Sequence, residues 1–167
     1  MRRVVFNQKG GVGKSTIVCN LAAISAARGT DTLVLDLDPQ GNASRYLLGA
    51  SIEEPGPDGA AFFGQMLDFT FREQPLEAFL RPTPFENLRV LSASAEMNDL
   101  EDKLESRYKM MKLREALERL PRGCAVYIDT PPALRFYSRS ALIAADTVLI
   151  PFDCDDFSRR ALYSLMD

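Results

Sequence analysis

Short apolar runs alternate with stretches of helical periodicity along this chain of 167 residues. Apolar, partly β-branched runs predict strands at four places: 4–6, 32–37, 126–128 and 148–150. Between the first two, apolar residues recur at helical spacing over 15–28, and Gly29 follows as a helix stop. Repeated strand–helix units predict an α/β fold over 1–167, a single domain with a mainly parallel twisted sheet and helices on both faces.

The middle and the end of the chain carry further helical patterns. Apolar residues over 97–104 and 113–120 predict two amphipathic helices with a break near 106–110. Turn residues are frequent from 49 to 86, which we expect to be the least regular part. A last helix is predicted over 157–166.

Composition narrows the class of protein. The net charge of -3 gives no general reason to expect a nucleic-acid or membrane partner. Three widely spaced cysteines argue against a disulfide framework, and the chain has no run of 18 apolar residues and no signal-peptide pattern, so we expect a cytoplasmic protein. Because the chain contains no histidine, its chemistry must rely on carboxylates, lysines and backbone amides.

A glycine-rich turn, KGGVGKS at 9–15, lies between the first predicted strand and helix. It matches only the end of the ordinary phosphate-loop pattern, since Gln8 stands where the first glycine belongs. Glycines let successive backbone N–H groups point at phosphate oxygens, and the helix N-terminus adds partial positive charge. Lys14 would reach the β- and γ-phosphates and Ser15 would bind Mg²⁺. The alternative is a turn that only caps a helix. The predicted nucleotide-binding residues are Lys9, Gly10, Gly11, Val12, Gly13, Lys14, Ser15 and Thr16.

Acidic residues end two of the predicted strands. Asp36 and Asp38 are two apart on an extended segment, so we expect both side chains on one face, where Mg²⁺ and water could be held. Asp129 ends another strand and could bind Mg²⁺ through water. The predicted metal site is Ser15, Asp36 and Asp129. For each aspartate the alternative is a cap on the following turn. Asp153, Asp155 and Asp156 are either helix caps or a second metal site.

These motifs together resemble those of the ParA/MinD family of partition and positioning ATPases. The turn at 9–15 resembles the family's deviant Walker A motif, LDLDPQGNAS at 35–44 its second acidic motif, and YIDTPP at 127–132 its Walker B motif. The segments 88–104 and 141–151 are also similar to the family, so the likeness spans nearly the whole chain. The DPQGN segment favours the ParA-like branch.

The resemblance implies roles for individual residues. Lys14 corresponds to the ordinary Walker lysine, and Lys9 to a signature lysine that reaches across a nucleotide-sandwich dimer to the partner's phosphates. Asp38 would position or activate the attacking water, with Asp36 as a supporting acid, which makes Lys9, Lys14 and Asp38 the predicted catalytic residues. The implied cofactors are ATP and Mg²⁺. The implied partners are a second copy of the chain and a ParB-like adaptor, and the implied task is partition of DNA or another cargo.

Family members continue beyond the position of Asp167, so we expect this chain either to lack a C-terminal part or to be a natural short form. In the family, that part supplies much of the adenine pocket and the basic residues for non-specific DNA binding. Within this chain, Arg107, Lys109, Lys112 and Arg114 and the pair Arg159 and Arg160 are candidate DNA or partner contacts, with solvated helix faces as the alternative. A MinD-like membrane-cycling ATPase and a non-catalytic scaffold of the same fold stay open. An iron-protein-like reductase would need paired cysteines. A GTPase is disfavoured because no N-K-x-D motif occurs.

Overall fold

The computed structural model describes residues 1–68 and 73–152, which form a six-stranded sheet with the order β3-β4-β2-β5-β1-β6. Every neighbouring pair is parallel except β3, which runs antiparallel to β4 at the edge. This confirms the predicted mainly parallel α/β fold. The strands are β1 (Arg2–Val5), β2 (Thr32–Asp36), β3 (Arg81–Pro82), β4 (Leu88–Leu91), β5 (Ala125–Asp129) and β6 (Thr147–Leu149).

Six α-helices connect these strands within the described ranges. They are α1 (Lys14–Ala27), α2 (Asn42–Leu48), α3 (Gly59–Gly64), α4 (Met97–Ser106), α5 (Lys112–Glu118) and α6 (Phe136–Ala144). Gly29 adopts a φ of 78° and its N–H donates to the carbonyl of Ala26, which is the helix stop that the sequence predicts. None of the helices in the described part is both long and apolar enough to cross a membrane.

Alternate residues of the central strands enter two separate cores. In β2, Leu33 and Leu35 face the core that α3, α4, α5 and α6 cover, whereas Val34 faces the core under α1 and α2. Val4 and Val5 of β1 divide in the same way. Since successive side chains of a strand point to opposite faces, both faces of the sheet are buried, as in other parallel sheets. The central strands β2 and β5, which are buried along their whole length, consequently read as nearly continuous apolar runs.

The described residues of 49–68 and 73–86 include short helices and an edge strand, although the sequence there is rich in turn residues. Asp58 caps α3 by accepting a hydrogen bond from the N–H of Ala61 at 2.8 Å. Gly59 begins this helix where a Cβ would lie 2.8 Å from the sulfur of Met97. Within this turn-rich region, Arg81–Pro82 form the edge strand β3. The predicted break between the two amphipathic helices is confirmed, since α4 ends at Ser106 and α5 begins at Lys112.

The carboxyl ends of the central strands bring three distant segments together. Asp36 of β2 lies in register with Asp129 of β5, and Val5 of β1 lies in register with Asp129 on its other side. The glycine-rich turn follows β1 directly. Because parallel strands present their carboxyl ends at one edge of the sheet, this edge is where a ligand site is expected. The predicted helix 157–166 lies outside the described residues, as do Asp153, Asp155, Asp156, Arg159 and Arg160.

Candidate functional site

The glycine-rich turn requires glycine at two of its positions. Gly11 and Gly13 have φ angles of 75° and 83°, a left-handed conformation that other residues rarely adopt. No atom lies within 4 Å of a Cβ built on either residue, so the constraint is backbone geometry and not a steric contact. Helix α1 begins immediately afterwards, with the N–H of Ile17 donating to the carbonyl of Gly13 at 2.9 Å. The turn therefore places a helix N-terminus at the carboxyl edge of the sheet.

Lys14 is held beneath this turn and is only 7% exposed. Its ammonium donates to the carbonyl oxygens of Asn7 at 3.1 Å and Lys9 at 3.2 Å. Burial lowers the pKa of Lys14, while the charges of Asp129 and Asp38 raise it. The carbonyls and carboxylates thus compensate part of the cost of a buried cation.

A pocket of about 640 Å³ opens above the turn. One wall consists of the phosphate-loop candidates and the start of α1: Gly10, Gly11, Gly13, Lys14, Ser15 and Thr16. The segment 38–46 forms a second wall, and a third combines Asn98 and Glu101 of α4 with residues that follow β5. The volume falls in the range of small-molecule sites.

Asp129 lies at the base of the site and is fully buried. Its Oδ1 accepts from the N–H of Thr130 at 3.1 Å, whereas Oδ2 has no hydrogen-bond partner in the described part of the chain. Burial raises the pKa of Asp129 to about 6; the nearby Ser15 side chain and Lys14 lower it, and Asp38 raises it. This buried carboxylate oxygen accepts no hydrogen bond in the described part of the chain, and it lies near a serine hydroxyl. Carboxylate and hydroxyl oxygens are suitable ligands for a hard divalent cation. Ser15 and Asp129 therefore fit Mg²⁺.

Asp36 is also fully buried, but its oxygens are already engaged. Oδ2 accepts from the backbone N–H of Ser44 at 2.8 Å and from its hydroxyl at 2.7 Å, and Oδ1 accepts from the N–H of Asp38 at 3.2 Å. Burial and the charge of Asp129 raise the pKa of Asp36 to about 7, against the hydrogen bonds from Ser44. Asp36 thus ties α2 to the sheet, and its part in metal binding stays a prediction.

Asp38 occupies a different position from Asp36, although both were expected on one face. Strand β2 ends at Asp36, and Asp38 lies half-buried in the wall of the pocket. Its Oδ1 accepts from the N–H of Gln40 at 3.0 Å, so it caps the turn as the alternative interpretation proposed. Because Asp38 caps this turn and also faces the pocket, the two interpretations of Asp38 are compatible.

The remaining predicted residues surround the turn. Lys9 is half-buried, and its N–H donates to the side-chain oxygen of Asn7 at 2.8 Å. The amide of Asn7 in turn donates to the carbonyl of Pro151 at 2.7 Å, which fixes the entrance of the turn to the segment after β6. Val12 is half-buried, and Thr16 is exposed in the pocket wall.

The basic stretch at 107–114 consists mainly of paired side chains. Lys112 forms salt bridges with Glu73 and Glu115, and Arg114 pairs with Glu118 at 2.9 Å. Arg107 donates to the carbonyl of Leu67 at 2.6 Å. These contacts favour solvated helix faces over a dedicated nucleic-acid patch.

Sequence reasoning missed the pocket wall opposite the phosphate loop. Glu101 of α4 and Arg135, just before α6, both line the pocket and form a salt bridge at 2.8 Å. Tyr46 of α2 lines it as well and is 66% exposed. These residues belong to no recognisable motif. They are far apart in the sequence, and only the fold brings them to the same pocket. Tyr46, an aromatic residue two positions after the second acidic motif, was the one available signal.

The first strand of this parallel sheet leads through a glycine-rich turn into a helix. Lys14 is buried and Ser15 half-buried at the start of that helix, and Asp129 ends the neighbouring strand. These features define the P-loop NTPase fold. The sequence profile of a family described as AAA domain matches residues 3–167. The chain belongs to the ParA/MinD family of ATPases, in its ParA-like branch.

Two curated relatives illustrate the membership. The chromosome partitioning protein ParA of Myxococcus xanthus is 35% identical over 163 residues, which are 96% of this chain and 55% of the relative. The sporulation initiation inhibitor protein Soj of Bacillus subtilis is 32% identical over 165 residues, 98% of this chain and 62% of the relative. The chain thus spans little more than half the length of these relatives.

A solved structure shows the same fold in a nucleotide complex. It is a protein of Mycobacterium smegmatis named cobyrinic acid a,c-diamide synthase, solved with an ATP analogue and magnesium. The two chains are 29% identical with a TM-score of 0.82, over 99% of this chain and 66% of the other.

Proposed function

We propose that this chain is the nucleotide-binding part of a ParA-like partition ATPase, which binds and hydrolyses ATP with Mg²⁺ in the cytoplasm. The observation that carries the proposal is the combination of a buried Lys14 at a helix N-terminus with an unpartnered buried oxygen on Asp129 beside Ser15. The first suits a polyphosphate and the second suits its divalent cation. The relatives named for chromosome partitioning support the biological setting.

Each residue of the site then has a distinct task. Lys14 turns its ammonium from backbone carbonyls to the β- and γ-phosphates, and the N–H groups of 10–16 bind phosphate oxygens. Ser15 and Asp129 hold Mg²⁺, Asp129 through water, and the ion when bound would neutralise charge that develops on the phosphates. Asp36 holds the segment that carries Asp38 through its contact with Ser44.

Asp38 positions the water that attacks the terminal phosphate. It is a carboxylate in the pocket wall, and a chain without histidine offers few other groups that can accept a proton. Lys9 covers the phosphates of a second copy of the chain, so that ATP binding and dimerisation are coupled. Hydrolysis returns the dimer to monomers. In the proposed cycle a ParB-like adaptor stimulates hydrolysis, and the cargo is DNA.

Calorimetry with ATP in the presence of Mg²⁺ tests the site. Lys14→Ala should abolish or greatly weaken binding of ATP and ADP without a change in folding, because it removes the cation that covers the β-phosphate. The matched control is Lys103→Ala, which removes an exposed lysine of α4 and should bind as the parent does. Equal affinity of parent and Lys14→Ala would reject the phosphate-loop assignment.

Single-turnover hydrolysis tests the role of Asp38. Asp38→Ala should bind ATP normally and slow the chemical step by roughly 10²- to 10⁴-fold, because its proposed contact is made to the attacking water. Hydrolysis at the parental rate would leave Asp38 only its role in capping the turn. Loss of ATP binding would instead assign Asp38 to the ground-state metal site.

A further inference from the structure

The wall of the pocket that faces the phosphate loop contains a charged pair. The guanidinium of Arg135 contacts Glu101 Oε2 at 2.8 Å and Asp102 Oδ1 at 2.5 Å. Arg135 directly precedes α6, and both carboxylates belong to α4, so the pair joins the loop after β5 to a helix distant in sequence. Arg135 and Glu101 line the same pocket as Lys14 and Asp38.

Glu101 differs from an ordinary surface carboxylate because it is only 8% exposed. Burial raises the pKa of Glu101, Arg135 lowers it, and the neighbouring charges of Asp102 and Glu105 raise it again. In the described part of the chain, Arg135 is the cation in contact with Glu101. Asp102, by contrast, has a side chain that is 85% exposed, so water screens its charge.

The charges that line the pocket are balanced only while Arg135 is present. Among the described residues these are two cations, Lys14 and Arg135, and two carboxylates, Asp38 and Glu101. Removal of Arg135 would leave a nearly buried, unpaired carboxylate in the lining of the pocket that is proposed to take a polyphosphate ligand. Like charges repel most strongly where little water separates them, so the cost of this repulsion falls on ligand binding.

We propose that Arg135 is a positioning and charge-neutralising residue of the nucleotide pocket, which masks Glu101 and thereby sets the affinity of the pocket for triphosphate over diphosphate. This inference rests on the proposed nucleotide-binding function. Arg135 acts here through Glu101 and not as a direct phosphate ligand. Because the repulsion grows with ligand charge, the effect is larger for ATP than for ADP.

The chain provides a matched control on the same helix. Arg139 of α6 pairs with Glu105 of α4 at 2.9 Å, one helical turn beyond Arg135. It joins the same two helices, with a side-chain exposure of 50% against 52% for Arg135. Neither Arg139 nor Glu105 is among the residues that line the pocket. Loss of Arg139 therefore removes a comparable bridge between α4 and α6 without changing the charge of the pocket.

The experiment measures ATP and ADP affinity by calorimetry, with Mg²⁺, for the full chain and its variants. Arg135→Ala should weaken ATP binding about 10-fold and ADP binding less, as expected for one partly screened charge. Arg139→Ala should bind both nucleotides as the parent does. Glu101→Gln should bind ATP more tightly than the parent, because Arg135 is then left in excess.

The double variant Arg135→Ala/Glu101→Gln decides between mechanisms. Recovery of ATP affinity to within about 2-fold of the parent supports neutralisation, since neither charge remains. If the double variant binds ATP as weakly as Arg135→Ala, Arg135 contacts the phosphates directly and the inference is wrong. Equal losses in Arg135→Ala and Arg139→Ala would also overturn it, because the bridge would then serve only to join α4 and α6.

The parent and Lys14→Ala separate this inference from the function on which it rests. A parent that binds ATP, with Lys14→Ala that does not, upholds the nucleotide site whatever the Arg135 series shows. A parent that binds no ATP overturns both.

Discussion

The loss of stability on replacing Ser44 can be estimated directly from the hydrogen bonds of its side chain. Its hydroxyl is fully buried, donates to Asp36 Oδ2 at 2.7 Å and accepts from the N–H of Ala93 at 2.9 Å. It thus joins α2, the end of β2 and the segment after β4. Ser44→Ala breaks both bonds and keeps the backbone bond from Ser44 to Asp36.

The expected loss of stability follows from these two contacts. A hydrogen bond to a charged group contributes about 1.5–3 kcal/mol, and an N–H left without a partner costs about 1–3 kcal/mol when buried. Since Ala93 is only half-buried, water can hydrogen-bond to its freed N–H part of the time. We therefore expect Ser44→Ala to lower the free energy of unfolding by about 2–4 kcal/mol in total. In a domain of this size that lowers Tm by roughly 5–15 °C.

The loss should also depend on pH. The pKa of Asp36 is about 7 in the folded protein, against 3.8 for an ordinary aspartate. The folded state therefore binds the carboxyl proton more tightly than the unfolded state does, and the free energy of unfolding falls as the pH rises from about 4 to about 7. The hydrogen bonds from Ser44 oppose the rise in pKa. Their partial loss raises the folded pKa further, so the cost of Ser44→Ala should be larger above about pH 7 than at pH 5.

Urea unfolding of Ser44→Ala at pH 5.5 and pH 8.5 measures both effects. The matched control is Ser140→Ala, which deletes another fully buried hydroxyl that donates to a single carbonyl, that of Met110, at 3.0 Å. That control should cost about 1 kcal/mol at both pH values. The reasoning is refuted if Ser44→Ala costs no more than Ser140→Ala, or if its cost is the same at the two pH values.

Three further perturbations address other parts of the molecule. Phe63→Ala should destabilise the protein by about 3–5 kcal/mol in thermal or urea unfolding, because this fully buried ring packs edge-on against three other aromatic rings. Hydrogen bonds from Arg2 lower the pKa of Asp146, so the ionised carboxylate stabilises the folded state above about pH 4. Asp146→Asn should therefore be less stable than the parent at neutral pH, and the difference in free energy of unfolding should shrink as the pH is lowered. Lys9→Ala should retain part of the ATP affinity and lose the ATP-dependent dimer in light scattering; an undiminished dimer would reject its cross-subunit role.

The features that sequence predicted correctly are encoded locally. The run before the glycine-rich turn, the turn itself and α1 are contiguous, so strand, turn and helix signals fall in one window. β2 and β5 were recognised because strands buried on both faces are continuously apolar. Helix α3 was missed among turn residues, although Asp58 followed by Gly59 carries a capping signal.

Contacts between distant segments could not be predicted in the same way. Ser44 meets Ala93 across 49 positions, and Arg135 meets Asp102 across 33. No periodicity or motif encodes such pairs; they exist because helices from separate crossovers pack on one sheet. The walls formed by the phosphate loop and by 38–46 were therefore predictable from sequence motifs, whereas the pairing of Glu101 with Arg135 in the third wall required the structure.

The frame beneath the pocket is held by hydrogen bonds between strand ends and not by the loops alone. The hydroxyl of Thr130 donates to the carbonyl of Val5 at 2.8 Å, which joins the exit of β5 to that of β1. The amide of Asn7 joins the exit of β1 to Pro151, and Ser44 joins the exit of β2 to α2. Because folding has already fixed the geometry of these strand ends, little conformational entropy is lost when a ligand binds there. For that reason variants of the pocket lining, such as Lys14→Ala, should change ligand binding while unfolding stays close to parental, whereas Ser44→Ala should change both.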